Sequence, residues 1–338
     1  MASPDLLATR AVPDAGIDPA TVLRLRQAIY SHGDLTRADM ELLFTVARKA
    51  RRQSCPEWTS FFSEVLTDYV VHQNVPADYI PQDKADWLTA SLIRNGGVAT
   101  KAEFAMLIDV MTHALGVPTS LSSFALREIK TAILEGRRDA FQDEDHPAGV
   151  VTKADVEALR AVLYAAKTGT SEHVTQEEAE ALFDIAHATA HARNDSSFDD
   201  LFARAVGNYL MAIHVDVPDA ADALHFEKWL DEDESLPGFL ARMLHRTPAD
   251  ASFNVLKSPR EAYEDDLAER DAAESAMRGE SEKITEPEAA WVIAHLGRKG
   301  ELTSAETRLL QFLGAEAASI PPSLQALVDK AKVAGGRG

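Results

Sequence analysis

Gly33-Asp34-Leu35-Thr36-Arg37-Ala38-Asp39-Met40-Glu41-Leu42-Leu43-Phe44 reads as a tight turn that opens a helix. Gly33 supplies backbone freedom for a short connection. Thr36 is an N-cap whose hydroxyl can accept an orphan N–H of the first turn. Asp39 stands where a capping-box acid reaches back to the cap, and Leu35 and Met40 occupy the two positions of a hydrophobic staple. Leu43, Phe44 and Ala47 then start an apolar face at helical spacing. The same grammar returns at Thr100–Glu103 after Gly96-Gly97, at Thr175–Glu178 after Val174, and at Thr303–Glu306 after Gly300. One Thr-x-x-acid box is common by chance. Several of them, each between two apolar helices, describe a repeated helix–turn–helix unit.

Outward from this turn the chain reads as all-α. Asp18-Pro19 caps a helix carrying Val22, Leu25, Ala28 and Ile29 on one face. A helix through Thr36 runs to about Arg52, and one opened by Pro56 carries Trp58, Phe61, Phe62, Val65, Leu66, Tyr69 and Val70, a stripe wide enough for a central core helix. Helices over Asp83–Ile93, Lys101–Leu115 and Ser120–Glu135 follow.

The second half repeats the first. Leu159-Arg160 and Tyr164 match Leu25-Arg26 and Tyr30; Thr175 to Phe183 match Thr36 to Phe44; Phe198, Leu201, Phe202 and Tyr209 match Trp58, Phe61, Phe62 and Tyr69. The offset is nearly constant, with a few extra residues in the turn Lys167–His173 of the second copy. Trp291, followed by Gly300 and Thr303, answers Trp87 better than Trp229 does. The expected organisation is a loose tail over 1–17, a helical domain over 18–137, a linker over 138–150 and a second, homologous domain over 151–330. An acidic insertion at about 231–283 contains Asp231-Glu232-Asp233-Glu234. Its apolar island Leu236-Pro237-Gly238-Phe239-Leu240 and Met243-Leu244 either folds back on the helices or docks a partner.

Composition narrows the function. Hydrophobic residues make up 46%, enough for a core, and the formal net charge is −20. Such a chain repels phosphate backbones and anionic bilayers and favours basic partners or divalent cations. No nucleic acid and no membrane insertion are therefore expected, and no run of about 18 apolar residues suggests a transmembrane helix. Cys55 is the only cysteine, so no disulfide framework can form within the chain, which fits a reducing, cytoplasmic setting. The first residues carry no signal-peptide pattern.

The turns of the form Gly-x-[Leu/Val]-Thr-x-x-[Asp/Glu], at Gly33–Asp39, Gly97–Glu103, His173–Glu178 and Gly300–Glu306, resemble those of the TerB-like helical domains of bacteria, known from tellurite-resistance and stress proteins. The resemblance implies a helical accessory module, in some members one that binds divalent cations on acidic surfaces. Where the metal-binding members carry an Asp run, this chain has Ser31-His32, Arg94-Asn95 and Arg298-Lys299. The turns also look like the back half of an EF-hand loop. The front half must supply oxygen ligands, but those positions hold Ala28, Tyr30 and His32 in the first unit and His295, Gly297 and Lys299 in the fourth. The units are thus EF-hand-like but ligand-poor.

The sharpest candidate for chemistry is Asp184, His187, His191 and Asp195, spaced to share one face of a single helix. Imidazoles and carboxylates so placed can hold zinc or a similar divalent metal. The alternative is a polar helix face that happens to hold two histidines. A metal enzyme would need a further ligand or base, with His173, His214 or Asp216 the obvious donors. Ser31, His32 and Asp34 are neighbours in a polar turn, without a nucleophile elbow. Cys55, beside Pro56 at a helix start, is either a reactive thiolate or a packing residue. Clear structural grammar without a catalytic constellation argues for a non-enzymatic interaction or scaffold protein without a cofactor, with a protein partner. The alternative is a metal sensor or metal-dependent enzyme built on His187 and His191.

Overall fold

The computed structural model describes residues 16–49, 55–94, 98, 100–136, 148–165, 167–168, 174–211, 283–298 and 300–335. Most of the expected tail and linker lie outside the described residues, as do the acidic insertion with its apolar island and the candidate donors His173, His214 and Asp216.

The described residues are mostly helical, as the sequence implies. In chain order the α-helices are α1 Pro19–Ile29, α2 Arg37–Lys49, α3 Pro56–Thr67, α4 Gln82–Arg94, α5 Lys101–His113, α6 Thr119–Glu135, α7 Lys153–Leu163, α8 Gln176–Ala188, α9 Ser197–Leu210, α10 Glu286–His295, α11 Ser304–Glu316 and α12 Pro322–Gly335. Among the described residues two short strands, β1 Val117–Pro118 and β2 Lys167–Thr168, pair in parallel with Val117 opposite Lys167, and isolated bridges join Tyr79 to Gly116 and Lys283 to Ser319.

Helix starts are set by the boxes. Thr36 N donates to Asp39 Oδ2 over 2.8 Å while Asp39 N donates to Thr36 Oγ1 over 3.3 Å. Reciprocal boxes form at Thr100–Glu103, Thr175–Glu178 and Thr303–Glu306 as the spacing predicts. Two further boxes, Thr152–Asp155 and Thr285–Glu288, open α7 and α10. Asp39, Glu103, Asp155, Glu178 and Glu306 are all buried. A carboxylate is costly to bury, and here its oxygens meet backbone N–H groups that would otherwise be orphans of the helix start. Leu35 and Met40, the staple, are buried as well.

α3 ends in one π-helical turn, Asp68–His72, where Gln73 N reaches back to Asp68 O over 2.8 Å. Carbonyls left by the widened turn are taken up by side chains. Lys84 Nζ donates to Tyr69 O, and Asn74 Nδ2 lies 2.6 Å from Val70 O and 2.9 Å from Val71 O.

The two halves pack in parallel ways. α1 rests on α3 as α7 rests on α9; α3 runs along α5 as α9 runs along α11; α4 meets α6 as α10 meets α12. Ile80 N donates to Gly116 O over 2.9 Å, and Ile284 N to Ser319 O over 3.1 Å. Aromatic rings follow suit. Phe44 meets Phe62 edge-on at 5.4 Å and Trp87 at 6.1 Å, while Phe183 meets Phe202 at 5.0 Å and Trp291 at 5.8 Å. Tyr69 lies 5.4 Å from Trp87, and Tyr209 4.9 Å from Trp291. In both tryptophans Nε1 is buried without a hydrogen-bond partner among the described residues. The halves also meet. α6 packs on α7 and α8, α5 on α7, and one contiguous buried apolar cluster draws residues from both.

Candidate functional site

The four residues spaced for a metal do not share a helix face. α8 stops at Ala188: past Thr189 the chain turns, and Thr189 O is taken by Ala192 N at 2.9 Å and by Asn194 Nδ2 at 3.1 Å. The Asn194 side-chain bond competes with the backbone ladder, and His191 and Asp195 fall beyond the helix. Asp184 is half exposed and paired with Lys130 of α6 at 2.6 Å. His191 is exposed. Asp195 accepts from Ser197 N at 3.0 Å and from the Ser197 hydroxyl, capping the start of α9; these bonds hold its carboxyl below the ordinary aspartate value. Among the described residues no three His, Cys, Asp or Glu side chains come together as a metal-holding group.

His187 alone of the four is buried. Its Nε2 lies 3.0 Å from Oε1 of Glu306 on α11, a carboxylate with no exposed surface. The same Oε1 accepts Gly297 N at 3.0 Å, and Oε2 accepts Thr303 N at 2.7 Å. One box acid therefore holds the start of α11, the end of α10 and the last turn of α8 together. Sequence reasoning finds Glu306 as a capping acid but not its partner, which lies 119 residues away in the chain.

The other candidates resolve into packing and turns. Cys55 sits at the start of α3 without a side-chain capping bond, and burial pushes its thiol up, away from thiolate. Ser31 donates to Ala28 O at 2.7 Å in an exposed turn where Gly33 has a φ of +84°. The aromatic rows of α3 and α9 are core.

Sequence reasoning missed the groove between the first and third helices of each half. In the first half, Arg26 of α1 makes a two-pronged pair with Glu64 of α3 at 2.6 Å, and its guanidinium lies 5.1 Å from the Phe61 ring centroid. The Tyr30 hydroxyl donates to Asp68 Oδ2 at 2.8 Å; burial, then that bond, raise the phenol well above its ordinary value. In the second half, Arg160 and Tyr164 stand in the places of Arg26 and Tyr30, but Arg204 replaces Glu64 and Asn208 replaces Asp68. These four side chains line a pocket of about 560 Å³ with Leu201 and Phe312. Its one carboxylate, Asp200, is bound to Arg308 at 2.6 Å. Burial raises the Tyr164 phenol, and the Arg204 and Arg160 charges oppose that rise. The signal in the sequence was the exchange of an acid for an arginine between matching positions.

Comparison with known proteins finds no matching family model, no matching curated protein and no matching solved structure.

Proposed function

We propose that this chain is a non-enzymatic interaction or scaffold protein of the TerB-like kind, built from a duplicated helical unit and linked to stress or metal response. One observation carries the reading: the side chains with most potential for chemistry are spent on holding helices. Asp184 ties α8 to α6, His187 ties α8 to Glu306, and Asp195 caps α9. The duplication is supported by the matched aromatic clusters and by the matched backbone bonds of Ile80 and Ile284. The family resemblance is supported by the capping turns that suggested it. A cytoplasmic setting fits the lone cysteine, and no helix among the described residues is long and apolar enough to cross a membrane.

With a net charge of −20 the partner expected is a basic protein, drawn in by long-range attraction. The test is affinity capture of the full chain from its native cells at physiological and at high salt, with elemental analysis of the tag-free protein. A basic protein recovered near stoichiometry and released by salt is expected, since screening weakens contacts between exposed charges. A chain recovered alone, with near-stoichiometric zinc, nickel or iron that is lost in His187→Ala, overturns the reading in favour of the metal site.

A further inference from the structure

We propose that the pocket between α7 and α9 is a binding site for a small organic oxyanion, held by Arg160 and Arg204 with its body against Phe312 and Leu201. This inference stands apart from the scaffold reading and does not depend on it.

The argument begins with charge. In a chain with 34 basic and 54 acidic side chains, a lysine or arginine has carboxylates in easy supply. The first half shows the usual outcome, with Arg26 held at both prongs by Glu64 and Tyr30 held by Asp68. In the second half neither Arg160 nor Arg204 has a hydrogen-bonded or ion-paired side-chain partner among the described residues, and the Tyr164 hydroxyl has none either. Both guanidiniums line the pocket and both charges act on the Tyr164 phenol, so an anion entering there would meet two positive charges at once. Arginine's planar fork matches a carboxylate or phosphate through paired N–H donors. The Tyr164 hydroxyl and the Asn208 amide add neutral donors on the same wall.

The shape supports the same ligand. A pocket of about 560 Å³ lies within the range of small-molecule sites, which are mostly apolar with a few convergent polar groups. Phe312 and Leu201 supply the apolar part. Phe312 reaches this position because residue 207 on α9 is glycine: a Cβ there would sit 2.4 Å from Phe312 Cε1. The carboxylate that could compete for the arginines, Asp200, is occupied by Arg308.

The test is isothermal titration calorimetry on the full chain with phenyl phosphate, benzoate and phenol. Either anion should bind with an affinity that falls as salt rises, and phenol should bind at least about tenfold more weakly than the better anion. Tighter binding of phenyl phosphate assigns the site to phosphate monoesters, and of benzoate to carboxylates. Arg204→Glu supplies Arg160 with the partner that Arg26 has, so it should retain or raise the melting temperature while weakening anion binding about tenfold or more. Glu64→Arg with Asp68→Asn should install the same response in the first half. Absence of heat with both anions, or affinities unchanged by Arg204→Glu in a folded protein, overturns the proposal.

Discussion

Glu306 shows how much one side chain can carry. Its two oxygens meet Thr303 N, Gly297 N and the His187 ring, and its side chain has no exposed surface, so losing them differs in kind from losing the cap hydroxyl alone. Thr303→Ala removes one N-cap bond and should cost about 1 kcal/mol. Glu306→Ala takes the partner from the buried His187 ring and from the part-buried Gly297 and Thr303 N–H groups, and should cost about 2–3 kcal/mol, since an unmet buried group costs roughly 1–3. Chemical denaturation of both variants checks the ratio; equal losses would mean that the His187 contact does not contribute.

Asp18 and Asp195 give a pH dependence whose sign is fixed. Bonds from Thr21 and Ser197 depress both carboxyls below 3.8. A depressed acid contributes stability that is present above its unfolded value and lost as pH falls through its folded one. Below about pH 3.8 the melting temperature should therefore drop, and Asp195→Asn, which keeps an acceptor but does not titrate, should show a shallower drop. Burial acts in the opposite sense at Asp199, raising its carboxyl, so that its contribution is present in acid and lost as pH rises through the folded value.

At the scale of elements, the boxes were legible because they are local: cap, acid and helix lie within four residues. Four were found from their turns. The box opening α10 was passed over because Lys283-Ile284 precede it without a glycine, whereas the one opening α7 was missed although Gly149-Val150-Val151 precede Thr152 in the same pattern as the first unit, with Gly149 at a φ of +77°. The end of α8 was misplaced as well. Helical spacing continued in the sequence past Ala188, but the chain turns past Thr189, whose carbonyl goes to Ala192 N and Asn194 Nδ2. The π turn after α3 left no trace that periodicity could detect. It depends on Lys84, which arrives from the next helix and whose charge is disfavoured by burial. Lys84→Met should unravel that turn while leaving α3 intact, seen as faster amide exchange at Val71 to Gln73. Unchanged protection there would assign the turn to backbone packing alone. Gly207 is a second point of this kind. Gly207→Ala drives a methyl into Phe312 and should cost about 1–3 kcal/mol by overpacking, measurable by thermal melts.

For the whole molecule, the helical class was legible, because periodicity is written along one chain. The contacts between halves were not. They rest on α5 and α6, whose residues look like any amphipathic helix, on the short β1–β2 pairing, and on Lys130 meeting Asp184 across 54 residues. The arginine pocket was half legible. Arg160 was matched to Arg26, but the meaning of Arg204 appears only when the first half is seen to answer Arg26 with Glu64. With one apolar cluster running through both halves, calorimetry of the full chain should show one main cooperative transition with equal calorimetric and van't Hoff enthalpies. Two resolved transitions would place the cooperative units in the halves.

The position of α6 also matters on the ribosome. Its neighbours α7 and α8 are made after it, the last of their residues being Ala188. At roughly 5–20 residues per second, the helix waits on the order of several seconds with an apolar face uncovered. The nascent chain should thus recruit a chaperone in that interval and release it once α8 emerges. Ribosome profiling of chaperone-bound nascent chains would show the window directly, and an even distribution along the message would deny it.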